Sequence, residues 1–194
     1  KIVLTTCGSR GDVQPMIALA LALKKAGHST MLLGPPEMKS FAAAFGCPYS
    51  GQGQSVLEFL GTIKNVLTPR TAGLFNRFVR DAVKIQLEVL PGLFEGADTV
   101  IASSLSFAAA TIAEQMSLPY RYVAFSPQVF PSKYHPFPAI RTQTFSHEVN
   151  LFSWKAAALI NRFNIGSLLN RYRSRKGMPQ IADTWDHIIG DSPI

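Results

Sequence analysis

The sequence predicts an α/β protein: a parallel sheet with helices on both faces. Three observations carry the prediction. Short β-branched and apolar runs, "KIVLTT", "STMLLG", "DTVIASS" and "PYRYVAFS", recur along the chain. Segments with apolar residues at helical spacing separate them, and Gly and Pro stand at the seams. Strands buried on both faces read as continuous apolar runs. A β-α-β-α order needs crossovers that lay helices against the sheet.

Residues 1–6 alternate little and form the first strand. A helix over 13–26 follows; Val13, Ile17, Ala20, Leu21 and Leu23 nearly surround it, which marks it as deeply packed. Lys24 and Lys25 suit its C-terminal pole, and Gly27 is its stop. Residues 29–34 make a second strand and 35–46 a second helix, with proline in its first turn and Gly46 at its end. Residues 50–73 are less regular: "GQGQS" is a loop and "VLEFLGTIKNVL" a short helix beside the opening of a cleft. A helix over 74–90 puts Phe75, Phe78, Val79, Ala82, Gln86 and Val89 on one face, and Pro91 and Gly92 end it. Strand, helix and strand return over 98–104, 105–117 and 119–126. "PQVFPSKYHPFPAI" is a proline-rich loop. Residues 145–175 hold one or two helices with Phe152, Leu159, Phe163, Leu168, Leu169 and Tyr172 as apolar positions, and "GMPQIADTWDHIIG" adds a short one. A further strand can begin at the terminal "DSPI".

A chain of 194 residues with 47 % hydrophobic and 16 % charged side chains is an ordinary folded domain, not a disordered segment. Its net charge of +7 suits an acidic partner: nucleic acid, an anionic membrane surface or an acidic second domain. Nucleic acid is not expected, since the basic residues are not interleaved with stacking aromatics and no binding motif occurs. Cys7 and Cys47 lack the spacing of a disulfide framework or metal site and read as buried reduced thiols of a cytosolic protein. No metal is expected, because His147 and His187 lack ligand spacing with any carboxylate or thiol. "KIVLTTC" reads as a strand rather than a signal peptide. No run of 18 apolar residues is present to span a bilayer.

The chemistry concentrates in "TTCGSRGDVQP", residues 5–15. A strand that turns through glycine into a helix puts the turn at the carboxyl edge of the sheet, where α/β proteins hold ligands. A P-loop is excluded, because no Gly-Lys-Ser/Thr occurs. The dinucleotide fingerprint is excluded too: Gly8 and Gly11 are spaced G-x-x-G, and the second strand ends "LLGPP" with no acidic residue for a ribose. No redox cofactor is therefore expected. Asp12 has two readings at this point. It is a preferred helix N-cap before Val13-Gln14-Pro15, or a functional carboxylate. Arg10 can be a solvated charge, and Gly8 and Gly11 can simply permit the turn.

The longer string "CGSRGDVQPMIALALALKKAGH" resembles the start of the sterol and glycopeptide-antibiotic glycosyltransferases, a family with the two-domain GT-B fold. A strand ending in T-x-C-G-S-R-G-D, a proline three residues after the aspartate and a helix ending K-K-A-G-H carry it. "FAAAFGCPY", "DTVIASS" and "LPYRYVAFSP" follow in the same order. The resemblance implies that residues 1–194 are a Rossmann-like N-terminal acceptor domain and that the nucleotide-sugar domain is absent from this chain. It implies a hexosyltransferase that moves a sugar from a UDP- or TDP-sugar, as donor substrate rather than cofactor, to a hydrophobic alcohol such as a sterol, lipid or natural product. The isolated domain would be inactive. Asp12 would be the general base for the acceptor hydroxyl, with Ser9, Arg10 and Gly11 offering backbone N–H groups on the donor-phosphate side.

Acceptor contacts are expected from residues 50–75 and from 125–138, where Gln128, Phe130, Tyr134, His135 and Phe137 are candidates; loop packing around prolines accounts for the same residues. In 145–176, Lys155, Arg162, Arg171, Arg173, Arg175 and Lys176 face only Glu148. Such helices lie on anionic membranes, or turn a basic face to solvent or to an acidic domain. The expected location is the cytoplasm, with peripheral membrane contact. The rival is a non-catalytic α/β ligand-binding module in which Asp12 is only a cap.

Overall fold

Strand β1 (Ile2–Cys7) lies at the centre of a five-stranded parallel sheet of order β3-β2-β1-β4-β5. The structure is a computed structural model and describes residues 1–63, 69–126, 129–140 and 142–190. β1 pairs on one side with β2 (Thr30–Gly34) and on the other with β4 (Thr99–Ser104). The β1–β4 register runs from Ile2 opposite Thr99 to Cys7 opposite Ser104, so Cys7 and Ser104 end level at the carboxyl edge. β3 (Tyr49–Gly51) and β5 (Tyr120–Val123) are the edges. The parallel sheet is as the sequence led us to expect. β3 is not, because three residues are too few to show a period.

Helix α1 (Arg10–Lys25) begins three residues before the expected start. Ser9 is its N-cap and Asp12 its third residue, so of the two readings of Asp12 the N-cap one is corrected: the carboxylate pairs with the cap instead of being it. Gly11, read from the sequence as a turn residue, is a first-turn helical residue whose N–H needs no intrahelical partner. Pro15 consequently sits in the second turn rather than the first, with no N–H to give the Gly11 carbonyl.

Leu4 and Leu32 point to the α1 face of the sheet. They join Val13, Met16, Ile17 and Ala20 of α1 and Met38 and Ala42 in one buried cluster. Ala42 belongs to α2 (Lys39–Ala44). Alternation sends Thr5 to the opposite face, where its hydroxyl lies 3.4 Å from that of Ser106. α3 (Val56–Thr62) starts on Glu37, whose carboxylate accepts from the Val56 and Leu57 amides at 2.7 and 2.9 Å. The sequence expected this helix to run to residue 67, but it ends at Thr62 on the extended C-cap Ile63, and the rest of the expected stretch, 64–67, lies outside the described residues.

Helix α4 (Pro69–Leu93) runs past both expected limits and carries Pro91 in its last turn. Its buried face is Phe78, Val79, Ala82, Val83, Gln86, Leu87 and Leu90, whereas Phe75 is exposed. Gln86 is buried because both ends of its amide are paired. Its Nε2 donates to the Leu105 carbonyl at 3.0 Å, and its Oε1 accepts from the Ala108 amide at 3.1 Å. Those bonds hold the turn that delays α5 (Ala109–Gln115) beyond its expected start at 105.

The chain parts into two compact units, Lys1–Phe125 with Ile188–Ile194, and Ser126–His187. The second is built on α6 (His147–Asn161), a π-helical turn (Arg162–Gly166) and α7 (Ser167–Arg175); α8 (Thr184–Ile189) runs across the boundary. Leu169 is buried, but Phe152, Leu159 and Phe163, expected among the apolar positions, are 70 %, 55 % and 72 % exposed. Arg173, expected on a basic face, is buried, and its Nε donates to the Pro179 carbonyl at 2.6 Å. The strand start expected at "DSPI" falls on 191–194, outside the described residues.

Candidate active site at the carboxyl edge of the sheet

The turn from β1 into α1 presents a half-buried carboxylate, that of Asp12. Its position as the third helical residue turns the side chain back over the helix start. Oδ2 accepts from the Ser9 amide at 2.8 Å and the Ser9 hydroxyl at 3.2 Å. This is one arm of a capping box, and it puts negative charge at the positive pole of α1. Oδ1 is held from the neighbouring strand end: the Ser104 hydroxyl donates to it at 2.6 Å. Tyr122 of β5 braces the same point, donating its hydroxyl to the Ser104 carbonyl at 3.1 Å.

The space for this arrangement comes from Gly8, where a β-carbon would collide with the Asp12 carboxyl group. The carboxylate also acts on its neighbours. Burial first, then the charge of Asp12, pushes the Cys7 thiol up to about 12. The same two causes push the Tyr122 hydroxyl up to about 12, against the bond it makes to Ser104. Both groups therefore stay protonated around a fixed negative charge.

Arg10 is exposed and turned along the helix. Its Nε donates to Gln14 at 3.0 Å, and its guanidinium lies over the Phe41 ring at 4.7 Å. The Ser9 amide is committed to Asp12, whereas the Arg10 and Gly11 amides are the first two of the helix and have no intrahelical acceptor.

The other sequence candidates lie in the second unit, apart from Gln128, which is outside the described residues. Phe130 and Tyr134 are exposed, as is His135. Phe137 is half-buried, edge-on to Trp154 at 5.3 Å between ring centres, and its amide donates to Ser153 at 2.8 Å. Trp154 Nε1 donates to the His135 carbonyl and Asn150 Nδ2 to the Lys133 carbonyl, both at 3.0 Å. The loop is thus stapled to α6 through its backbone, leaving the Tyr134 and His135 side chains outward.

Sequence reasoning missed Ser104 and Tyr122. Their only sequence signal was a strand ending in "SS" and a next strand with tyrosine at alternate positions.

Comparison with known proteins identifies the family of the chain. The glycosyltransferase family 28 N-terminal domain matches residues 2–134. The chain is 29 % identical over 197 residues to the vancomycin aglycone glucosyltransferase of Amycolatopsis orientalis, covering 100 % of this chain and 47 % of that protein. It is 26 % identical over 190 residues to a sterol 3-beta-glucosyltransferase of Eremothecium gossypii, covering 89 % of this chain and 14 % of that protein. In fold it is similar to the calicheamicin glycosyltransferase CalG4, with a TM-score of 0.65 at 16 % identity over 98 % of this chain and 46 % of that one. The chain thus spans about half the length of the glycopeptide relatives it matches.

Proposed function

We propose, from the premise that this chain belongs to the glycosyltransferase family 28 N-terminal domain family, that it is the acceptor-side half of a sugar-nucleotide-dependent glycosyltransferase. The observation that carries the reading is the Asp12 carboxylate, held at the carboxyl edge of the sheet by a helix start on one side and a strand end on the other. A carboxylate fixed within hydrogen-bond reach of an alcohol can take its proton as the alcohol oxygen attacks the anomeric carbon. The bond from that carbon to the phosphate oxygen breaks, and the nucleoside diphosphate leaves with the electron pair. The Arg10 and Gly11 amides, at the positive end of α1, are the groups of this chain suited to the charge that gathers on the leaving phosphates.

The donor is a UDP- or TDP-sugar, held mainly by a second domain. The acceptor is a hydrophobic alcohol such as a sterol, lipid or natural product, and the candidates of the second unit for it are the exposed Phe130, Tyr134 and His135, with Phe137 as support. The buried free thiols Cys7 and Cys47 suit a reducing, cytoplasmic compartment.

The test is Asp12→Asn in a protein carrying both halves. Asparagine can still accept from Ser9 through its oxygen and donate from its nitrogen to Ser104 Oγ, so stability should hold. Turnover should fall roughly 10²–10⁴-fold, the usual worth of a positioned base. A transfer rate near wild type would make Asp12 a helix-start residue only and favour the non-catalytic binding module.

A second surface supports contact with an anionic bilayer. Val149, Phe152, Leu159, Ile160 and Phe163 are exposed along α6 and the π turn at helical spacing. The second unit holds eight of the nineteen Lys and Arg residues but three of the twelve Asp and Glu. Apolar insertion flanked by cations suits an interfacial helix. Co-sedimentation with vesicles of mixed anionic and zwitterionic lipid should be lost in Phe152→Ser/Phe163→Ser; equal binding by the variant would sink the reading.

A further inference from the structure

Ser104 adopts φ +53°, one of two non-glycine residues with positive φ among those described. The other, Ser117, follows α5 and closes it with a bond from its amide to the Glu114 carbonyl, an ordinary helix stop. Ser104 ends a strand and has no helix to stop. Left-handed backbone strains every residue except glycine and is eased only in part for asparagine and aspartate. Glycine would be the unstrained choice here, so a serine needs a reason that lies in its side chain.

The hydroxyl supplies one. It reaches Asp12 Oδ1 at 2.6 Å across 92 residues of sequence, the shorter of the two hydroxyl bonds to that carboxylate. Its backbone is fixed in turn, because Tyr122 donates to the Ser104 carbonyl. A carboxylate offers about four lone-pair sites. Oδ2 receives the Ser9 amide and hydroxyl, while Oδ1 receives Ser104 alone among the described residues. The open site is therefore on Oδ1.

We infer that Ser104 is a positioning residue, whose hydroxyl holds the Asp12 carboxylate in the rotamer from which Oδ1 takes the acceptor's proton. The inference rests on the reading of Asp12 as the base. In the step, the acceptor proton moves to Oδ1 and the acceptor oxygen bonds to the anomeric carbon. The phosphate oxygen leaves with its electron pair, and Ser104 keeps its own proton throughout. Strain at Ser104 is tolerated because the surrounding bonds over-determine it, as strained residues beside reacting groups are.

The test is Ser104→Gly, which relieves the backbone and removes the hydroxyl together with its β-carbon, beside Ser104→Ala, which removes the hydroxyl alone. A crystal structure of the variant chain should show the Asp12 carboxyl group out of its wild-type rotamer; an unmoved carboxylate overturns the inference. In the protein with both halves, with UDP-glucose or TDP-glucose as donor and a sterol as probe acceptor, kcat should fall about 10–100-fold with KM within about threefold. Thermal stability should match or exceed wild type, while Ser104→Ala loses the same activity and melts lower. A merely structural Ser104 predicts the reverse order, with glycine at least as active as serine. Asp12→Asn/Ser104→Gly should be no slower than the slower single variant, since the two act as one unit. A slow Asp12→Asn beside a wild-type Ser104→Gly overturns this inference and leaves the base standing. A wild-type Asp12→Asn overturns both.

Discussion

The Asp12 carboxyl group occupies the space where Gly8 would carry a β-carbon. Gly8 is therefore required for room rather than for backbone freedom. Gly8→Ala should push the carboxylate off its Ser9 and Ser104 donors and cost roughly 1–3 kcal/mol, the usual penalty of overfilling a packed site. Sugar transfer by the protein with both halves should fall with it. Urea melts and initial rates check both, and an alanine variant as stable and as fast as wild type would contradict the packing.

Alkali should weaken the fold in a defined window. The Cys7 thiol is pushed up to about 12 from its ordinary 9.0, mainly by burial, and the Tyr122 hydroxyl to about 12 from 10.0. Burial raises Tyr49 and Tyr120 as well. The unfolded chain releases these protons first, so it binds fewer than the native chain above pH 9, and stability falls as pH rises. Below pH 9 the contribution is fully present. Each group adds about 1.4 kcal/mol per pH unit inside its window. Urea midpoints should therefore hold to pH 9 and drop steeply towards pH 11. Burial raises the Cys47 thiol from 9.0 as well, so Cys7→Ala should flatten only its own share of the drop that begins at 9.

Trp154 separates stapling from contact in the loop that carries Tyr134 and His135. Trp154→Phe keeps a ring against Phe137 but loses the bond to the His135 carbonyl, a change of about 1 kcal/mol. Trp154→Ala empties a buried site and should cost about 3–5 kcal/mol. A loop that meets the acceptor predicts a raised KM for Trp154→Phe at nearly constant kcat. An unchanged KM would remove the loop from the acceptor contacts.

The parts of this molecule legible in the sequence were those whose signal is local and periodic. β1, β2 and β4 are apolar runs of five or six residues, and the Ser9–Asp12 turn follows the first of them. The start of α1 was misplaced because glycine reads as a breaker even where a first-turn amide needs no partner. Pro91 misled in the same way near the end of α4, where a missing N–H removes only one bond. The Ser104 bond was invisible for a different reason. It depends on β4 lying beside β1, and a serine at a strand end carries no local mark of what it will face.

That same bond bears on how the protein is made. Asp12 and Ser104 are 92 residues apart, and they meet only when β4 has docked beside β1. Pairing of such separation is slow, because a large loop must close before any contact rewards it. At roughly 5–20 residues per second of synthesis, β1 and α1 wait several seconds on the ribosome before Ser104 is made. During that wait the carboxylate has its helix donors but not its strand donor. Nascent chains ending before residue 104 would thus carry the acidic residue without its fixed orientation, and that orientation would arrive late, as a marker that the sheet has closed.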